Sequence, residues 1–207
     1  MKLPKLNKNV IVIDNDFLIQ VIEKNYAFYS NLYPDKVLND IKIVDVLRDV
    51  AFTTGIHEDD NNVSVIFLFR MGNSRLPHTV DVKDVFVFNN FTNRQFYCTI
   101  EECDFSFASF YANPEIRRKK EYHEELGQLI KSVAMNNNSS NISVVVDDIY
   151  QEETFQYLNM SPFISDKKFV IYRSTETEMY LPDPPKFWNV NLDYIIANKM
   201  GVSDEEI

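Results

Sequence analysis

Four short apolar runs limit what this chain can fold into: Val10–Ile13 (VIVI), Val63–Phe69 (VSVIFLF), Ile142–Val146 (ISVVV) and Phe169–Tyr172 (FVIY). Each is rich in β-branched or aromatic residues, and none alternates cleanly between apolar and polar. Strands buried on both faces read this way, whereas a half-exposed strand shows a period of two. The segments between the runs have helical spacing. Phe17, Leu18, Val21, Ile22, Tyr26 and Tyr29 lie along one stripe, and Pro34 breaks it. A second helix is expected over 40–52, with Asn39 or Asp40 as its cap. Asn113-Pro114-Glu115 opens a third, running to Met135, with cap, first-turn proline and acid in the favoured order. Shorter helices are expected over 151–160 and 192–200, the last stopping at Gly201. Strands of this kind alternating with amphipathic helices specify an α/β fold. It has three layers, a mostly parallel sheet with helices on both faces.

Residues 80–111 depart from that pattern. Val82–Phe88, Arg94–Glu101 and Asp104–Tyr111 are aromatic and partly alternating, which predicts an antiparallel β-rich insertion attached to the main sheet. With 207 residues, one domain over 1–207 is expected, ending in an acidic, flexible tail over 202–207. The polar loop 136–141 is too short to link two domains.

Composition narrows the function. Only four glycines are present, and no glycine-rich phosphate loop can be traced. A net charge of −10 gives no long-range attraction for a phosphate backbone, so nucleic acid is disfavoured as a partner. Cys98 and Cys103 match no metal-ligand spacing and read as reduced thiols, as in a cytoplasmic protein. The N-terminus lacks the apolar stretch of a signal peptide, and no run approaches a membrane span.

In open parallel sheets, ligands gather at the carboxyl ends of the strands. Two of the apolar runs end there in acids: Asp14 and Asp16 after the first, Asp147 and Asp148 after the third. If those strands are neighbours, the carboxylates converge into a hard-oxygen site suited to Mg²⁺ or Mn²⁺, able to activate water against a phosphate ester. The competing reading is local. Asp caps helices, Asp16 is placed to cap the first helix, and Asp148 with Gln151 fits a capping box.

The segment VIVIDNDFLI, Val10 to Ile19, resembles the opening of PIN-like ribonuclease domains, including the NYN group. VVVDDIYQEETFQYL, Val144 to Leu158, followed by FVIY, is similar to the closing pattern of that family. The resemblance implies a metal-dependent nuclease or an inactive relative. Asp14 would be the first ligand, Asp147 or Asp148 a later one, and Asp16 would take the small polar position. A further acid from the middle of the chain is implied, with Asp45, Asp49 and Glu101 as candidates. The Asp14-Asn15-Asp16 triplet also resembles the DxD of haloacid-dehalogenase-type phosphatases, where the first Asp is a nucleophile, the second an acid/base and Mg²⁺ the cofactor.

Other groups point less sharply. His123 sits on a helix stripe with Ile116 and Ile130 and reads as a packed histidine. His57 and His78 have no partner at metal spacing, and Ser74 and Ser109 lack a nucleophile-elbow context. Arg117 to Lys120 is a basic cluster whose ordinary role is a solvated face paired with Glu121, Glu124 and Glu125. The aromatic wealth of 80–111 and the proline-rich segment around Trp188 suggest an apolar surface for another protein. The leading expectation is therefore a non-enzymatic protein-interaction module, with the PIN-like nuclease and the Mg²⁺-dependent phosphatase as alternatives.

Overall fold

The computed structural model describes residues 3, 5–53, 62–69, 95–100, 103–111, 119–174 and 188–203. The first apolar run forms β1 (Asn9–Asp14), and the chain turns directly into α1 (Asn15–Leu32). Then come α2 (Ile43–Thr53), β2 (Asn62–Phe69), β3 (Gln95–Ile100), β4 (Cys103–Tyr111) and α3 (Lys119–Ala134). The remainder is β5 (Asn141–Val145), α4 (Glu152–Met160), β6 (Lys168–Arg173), β7 (Trp188–Asn191) and α5 (Leu192–Lys199).

The seven strands among the described residues join one sheet in the order β3-β4-β2-β1-β5-β6-β7. Every pairing is parallel except the β3–β4 hairpin. The expected α/β architecture is therefore present, with its antiparallel element in the aromatic region. The hairpin's second strand also runs parallel to β2, Asn62 opposite Asp104 through Phe69 opposite Tyr111, so this region extends the sheet itself. The extended segment at Trp188 becomes β7, which pairs with β6.

The strands' period of two sorts their side chains onto opposite faces. Ile11 and Ile13 of β1, Val65 and Phe67 of β2, Val145 of β5 and Tyr172 of β6 pack with α1, α2 and α5. Val10, Val12, Ile66, Val144 and Ile171 pack with α3 and α4. Both sets are apolar because both faces are covered.

Several local expectations are corrected. The second helix begins at Ile43, beyond Asn39 and Asp40, and Asn39 instead donates its backbone N–H to the carbonyl of Met200 (3.0 Å). Gly201, at φ 84°, ends the last helix as expected. The expected Asp148–Gln151 capping box does not open α4: Gln151 is itself the N-cap and makes no side-chain cap hydrogen bond, its amide donating to the carbonyl of His123 and its Oε1 accepting from Thr154 Oγ1. Val82–Phe88, His57, His78, Ser74, Glu101, Asn113, Pro114, Arg117, Arg118, the prolines 182–185 and the tail 204–207 lie outside the described residues. Cys98 faces Phe105 across the hairpin, out of register with Cys103. No helix among the described residues is long and apolar enough to cross a membrane.

Ser143 interrupts the apolar face of β5. It is fully buried, and its Oγ has no hydrogen-bond partner among the described residues. An unsatisfied buried hydroxyl costs more than the methyl that would replace it. Ser143→Ala is therefore expected to be neutral or to stabilise the protein by up to ~1 kcal/mol in urea unfolding. A loss of stability larger than that would show the hydroxyl to be engaged.

Candidate functional site

The strand order places a topological switch point between β1 and β5. From β1 the chain crosses to β2 through α1 and α2, which pack on one face, while α3, on the other face, feeds β5 on the opposite side of β1. Crossovers leaving in opposite directions open a crevice beyond the carboxyl ends of the two strands, where ligands bind in sheets of this type.

Asp14 is the last residue of β1, on the same face as Val10 and Val12, and is only 1% exposed. Its backbone is extended (φ −74°, ψ 105°), as an N-cap requires, and its Oδ1 accepts the N–H of Asp16 (3.1 Å) and of Phe17 (3.3 Å). The first helix is thus capped by Asp14, correcting the expectation for Asp16. Asp16 already lies inside the first turn, where its charge suits the positive end of the helix. From α3, the hydroxyl of Tyr122 donates to the same Oδ1 at 2.7 Å.

Burial pushes the Asp14 carboxyl up to about 7. The hydrogen bonds from Tyr122 and Phe17 favour the ionised form and act against this, while the neighbouring charge of Asp16 reinforces it. Desolvation wins because the group is taken almost wholly out of water.

His123, the residue after Tyr122, is buried as the helix stripe predicts. Its ring stacks on Tyr150 (centroids 4.2 Å apart, planes 6° apart) and meets the Tyr122 ring edge-on. Its carbonyl accepts from Gln151 Nε2 at 2.9 Å, and Gln151 Oε1 accepts from Thr154 Oγ1 at 3.1 Å. Helix α3 comes close to α4 at this point through Gly127, where a Cβ would lie 2.6 Å from Thr154 Oγ1. These contacts fasten the segment after β5 to the helix that holds Asp14.

Asp14, Asp16, Phe17, Gln20, Tyr122, His123 and Asp147 line one small cleft, partly open to solvent. The structure therefore brings together three of the four acids expected from the sequence. Asp148 begins a 3-10 turn (Asp148–Tyr150), and its side chain lies outside the described residues. Asp45 and Asp49 do not take part. They lie on α2, beside Arg48 (3.7 Å) and Lys199 (2.6 Å) respectively. Lys120, from the basic cluster, is exposed and 3.9 Å from Glu124, as expected of a solvated helix face.

Among the described residues no group of three or more His, Cys, Asp or Glu is disposed to hold an ion. The position from which α3 meets Asp14 is filled by Tyr122, a hydrogen-bond donor. Tyr122 and His123 were not legible as site residues. The available signal was the spacing Tyr122, Leu126, Leu129, Val133, an apolar stripe whose first member carries a polar tip.

A carboxyl raised by burial destabilises the fold when it ionises. Its contribution to stability is full below the unfolded value of 3.8 and is lost as pH rises towards about 7. Asn reproduces the neutral form and keeps an oxygen for the cap. Asp14→Asn is expected to gain stability relative to the wild type as pH rises from 4 to 8, by on the order of a few kcal/mol. Parallel stability curves for the two proteins over that range would show that Asp14 titrates normally.

No curated protein and no solved structure matches the chain. A family model covers residues 4–207, nearly the whole sequence, and the chain belongs to that family, the family of unknown function DUF6621.

Proposed function

We propose that this chain is a protein-interaction module that engages its partner at the switch-point cleft, where a lysine or arginine side chain of the partner is received by carboxylates. The observation that carries the reading is the composition of the cleft. Asp14, Asp16 and Asp147 line it, and none of the described lining residues is a lysine or arginine. Tyr150 (47% exposed) stacks on His123 of the cleft, and Ile149 (61% exposed) precedes it in the chain. A charged side chain with an aliphatic stem meets both requirements at once. The net charge of −10 favours approach of a basic partner over an anionic one.

A second reading, a PIN-like metal-dependent nuclease or its inactive relative, is favoured by one feature, the placement of Asp14 and Asp147 at the ends of adjacent parallel strands. The two readings separate by titration. With n-butylguanidinium as probe, backbone amide resonances of Asp16, Phe17 and Asp147 are expected to shift, and Asp147→Asn is expected to weaken binding several-fold. Mg²⁺ or Mn²⁺ is expected to leave the melting temperature unchanged, since a ligand that binds only the native state would raise it. A metal-induced rise abolished by Asp14→Asn, together with cleavage of single-stranded RNA, would replace the interaction reading with the nuclease.

A further inference from the structure

We propose that the outer face of α4 is a docking surface for a basic, amphipathic helix of a partner protein, seated on Tyr157, Met160 and Phe163. This goes beyond the cleft reading and stands without it.

Helix α4 needs only one stripe to hold its place. Thr154, Phe155 and Leu158 are buried, and Ile164 is buried in the 3-10 turn that follows (Pro162–Ile164). The outer flank has no such duty, and polar residues would serve there. Instead it carries Tyr157, half-exposed, and Met160, 81% exposed, neighbours at a spacing of one turn. Phe163, 67% exposed, stands in the turn just beyond the helix end. With Ile149 and Tyr150, the segment 149–163 holds five of the twelve large hydrophobic residues exposed among the described residues. Hydrophobics exposed singly are ordinary, whereas this concentration in one short segment marks a contact surface. Two of its rings are already positioned. Lys131 of α3 places its Nζ over the Tyr157 ring (4.9 Å from the centroid), and Tyr150 stacks on His123 of the same helix. Side chains held in advance lose less entropy when a partner arrives. Tyrosine, phenylalanine and methionine are also the residues that interfaces favour, and methionine adapts its shape to what it meets.

Charge selects the occupant. Glu152, Glu153 and Asp166 are exposed in or beside this segment, and no lysine or arginine lies between residues 149 and 166. Of the lysines outside it, Lys131 is engaged with the Tyr157 ring and Lys167 with the carbonyls of Ala134 and Asn136. An anionic lipid surface, a nucleic acid and a second copy of this chain, itself at −10, are all repelled by such a face. A helix with lysine or arginine beside its apolar stripe is attracted, and its apolar side chains recur at the spacing that Tyr157 and Met160 show.

The test uses the full chain and a designed peptide of leucine and lysine at helical spacing, with a leucine–glutamate peptide of the same pattern as its control. The Met160 methyl and Tyr157 ring resonances are expected to shift with the basic peptide and not with the acidic one. Met160→Asp is expected to weaken binding about tenfold, the effect of losing one apolar anchor. If charge alone held the peptide, that added acid would strengthen binding. Glu152→Gln combined with Glu153→Gln is expected to weaken binding and reduce its dependence on salt. All three positions are exposed, so the fold is expected to persist in both variants, as an unchanged amide spectrum away from α4 would show. Titration of n-butylguanidinium, read at Asp16 and Phe17, tests the cleft separately, so the two readings fail independently. Absence of binding, equal binding of both peptides, binding unchanged or strengthened in Met160→Asp, or shifts confined to Asp16 and Phe17 would overturn the proposal. So would self-association of the chain abolished by Met160→Asp, or attachment to phosphatidylcholine vesicles through the same residues, since each puts another occupant on this face.

Discussion

Strand β1 is hydrogen-bonded on both edges, to β2 and β5, and covered on both faces, by α1 on one side and α3 on the other. Each of its residues is buried. A six-residue segment with no solvent-facing side has nowhere to place a charge except at its end, and the chain places Asp14 there. The register of the neighbouring strands, the direction of both crossovers and the crevice between them all refer to this strand. Its burial also explains why the apolar runs are continuous: a parallel sheet covered by helices on both faces tolerates few polar side chains in its middle strands.

Asp14 illustrates how one residue serves two demands that conflict electrostatically. As a cap it must offer an oxygen to the first amides of α1, and as the terminus of a central strand it must lie out of water. Capping and the Tyr122 hydroxyl stabilise the ionised form, and desolvation opposes it more strongly. The structural reading of Asp14 as a cap and the functional reading as a site acid are therefore compatible. Capping falls on Oδ1, and Asp14 also lines the cleft.

The α3–α4 pair gives the site its rigidity. Lys167 Nζ donates to the carbonyls of Ala134 and Asn136, each at 2.6 Å, closing the C-terminal end of α3. At the other end of α3, Gln151 ties the start of α4 to the carbonyl of His123. The missing side chain at Gly127 leaves room for those of Thr154 and Gln151, which a Cβ there would meet at 2.6 and 3.0 Å. Tyr122 and His123 are thereby held over the strand ends by contacts at both ends of their helix.

By itself the sequence determined the class of fold, most of the strands and helices, and the acids at the strand ends, because these follow from local periodicity and from the composition that burial demands. Val10–Ile13, Val63–Phe69, Ile142–Val146 and Phe169–Tyr172 all became strands of the sheet. Local pattern also suggested two caps, at Asp16 and Asp148, but capping depends on the backbone angles at a single residue, and periodicity does not register these. Tertiary structure alone decided that β1 and β5 are adjacent, that Asp14, Asp16 and Asp147 share a cleft while Asp45 and Asp49 do not, and that Tyr122 reaches Asp14. The physical reason is distance along the chain. Tyr122 and Asp14 are 108 residues apart, and no short-range signal encodes a hydrogen bond created by two crossovers meeting over the same strand end.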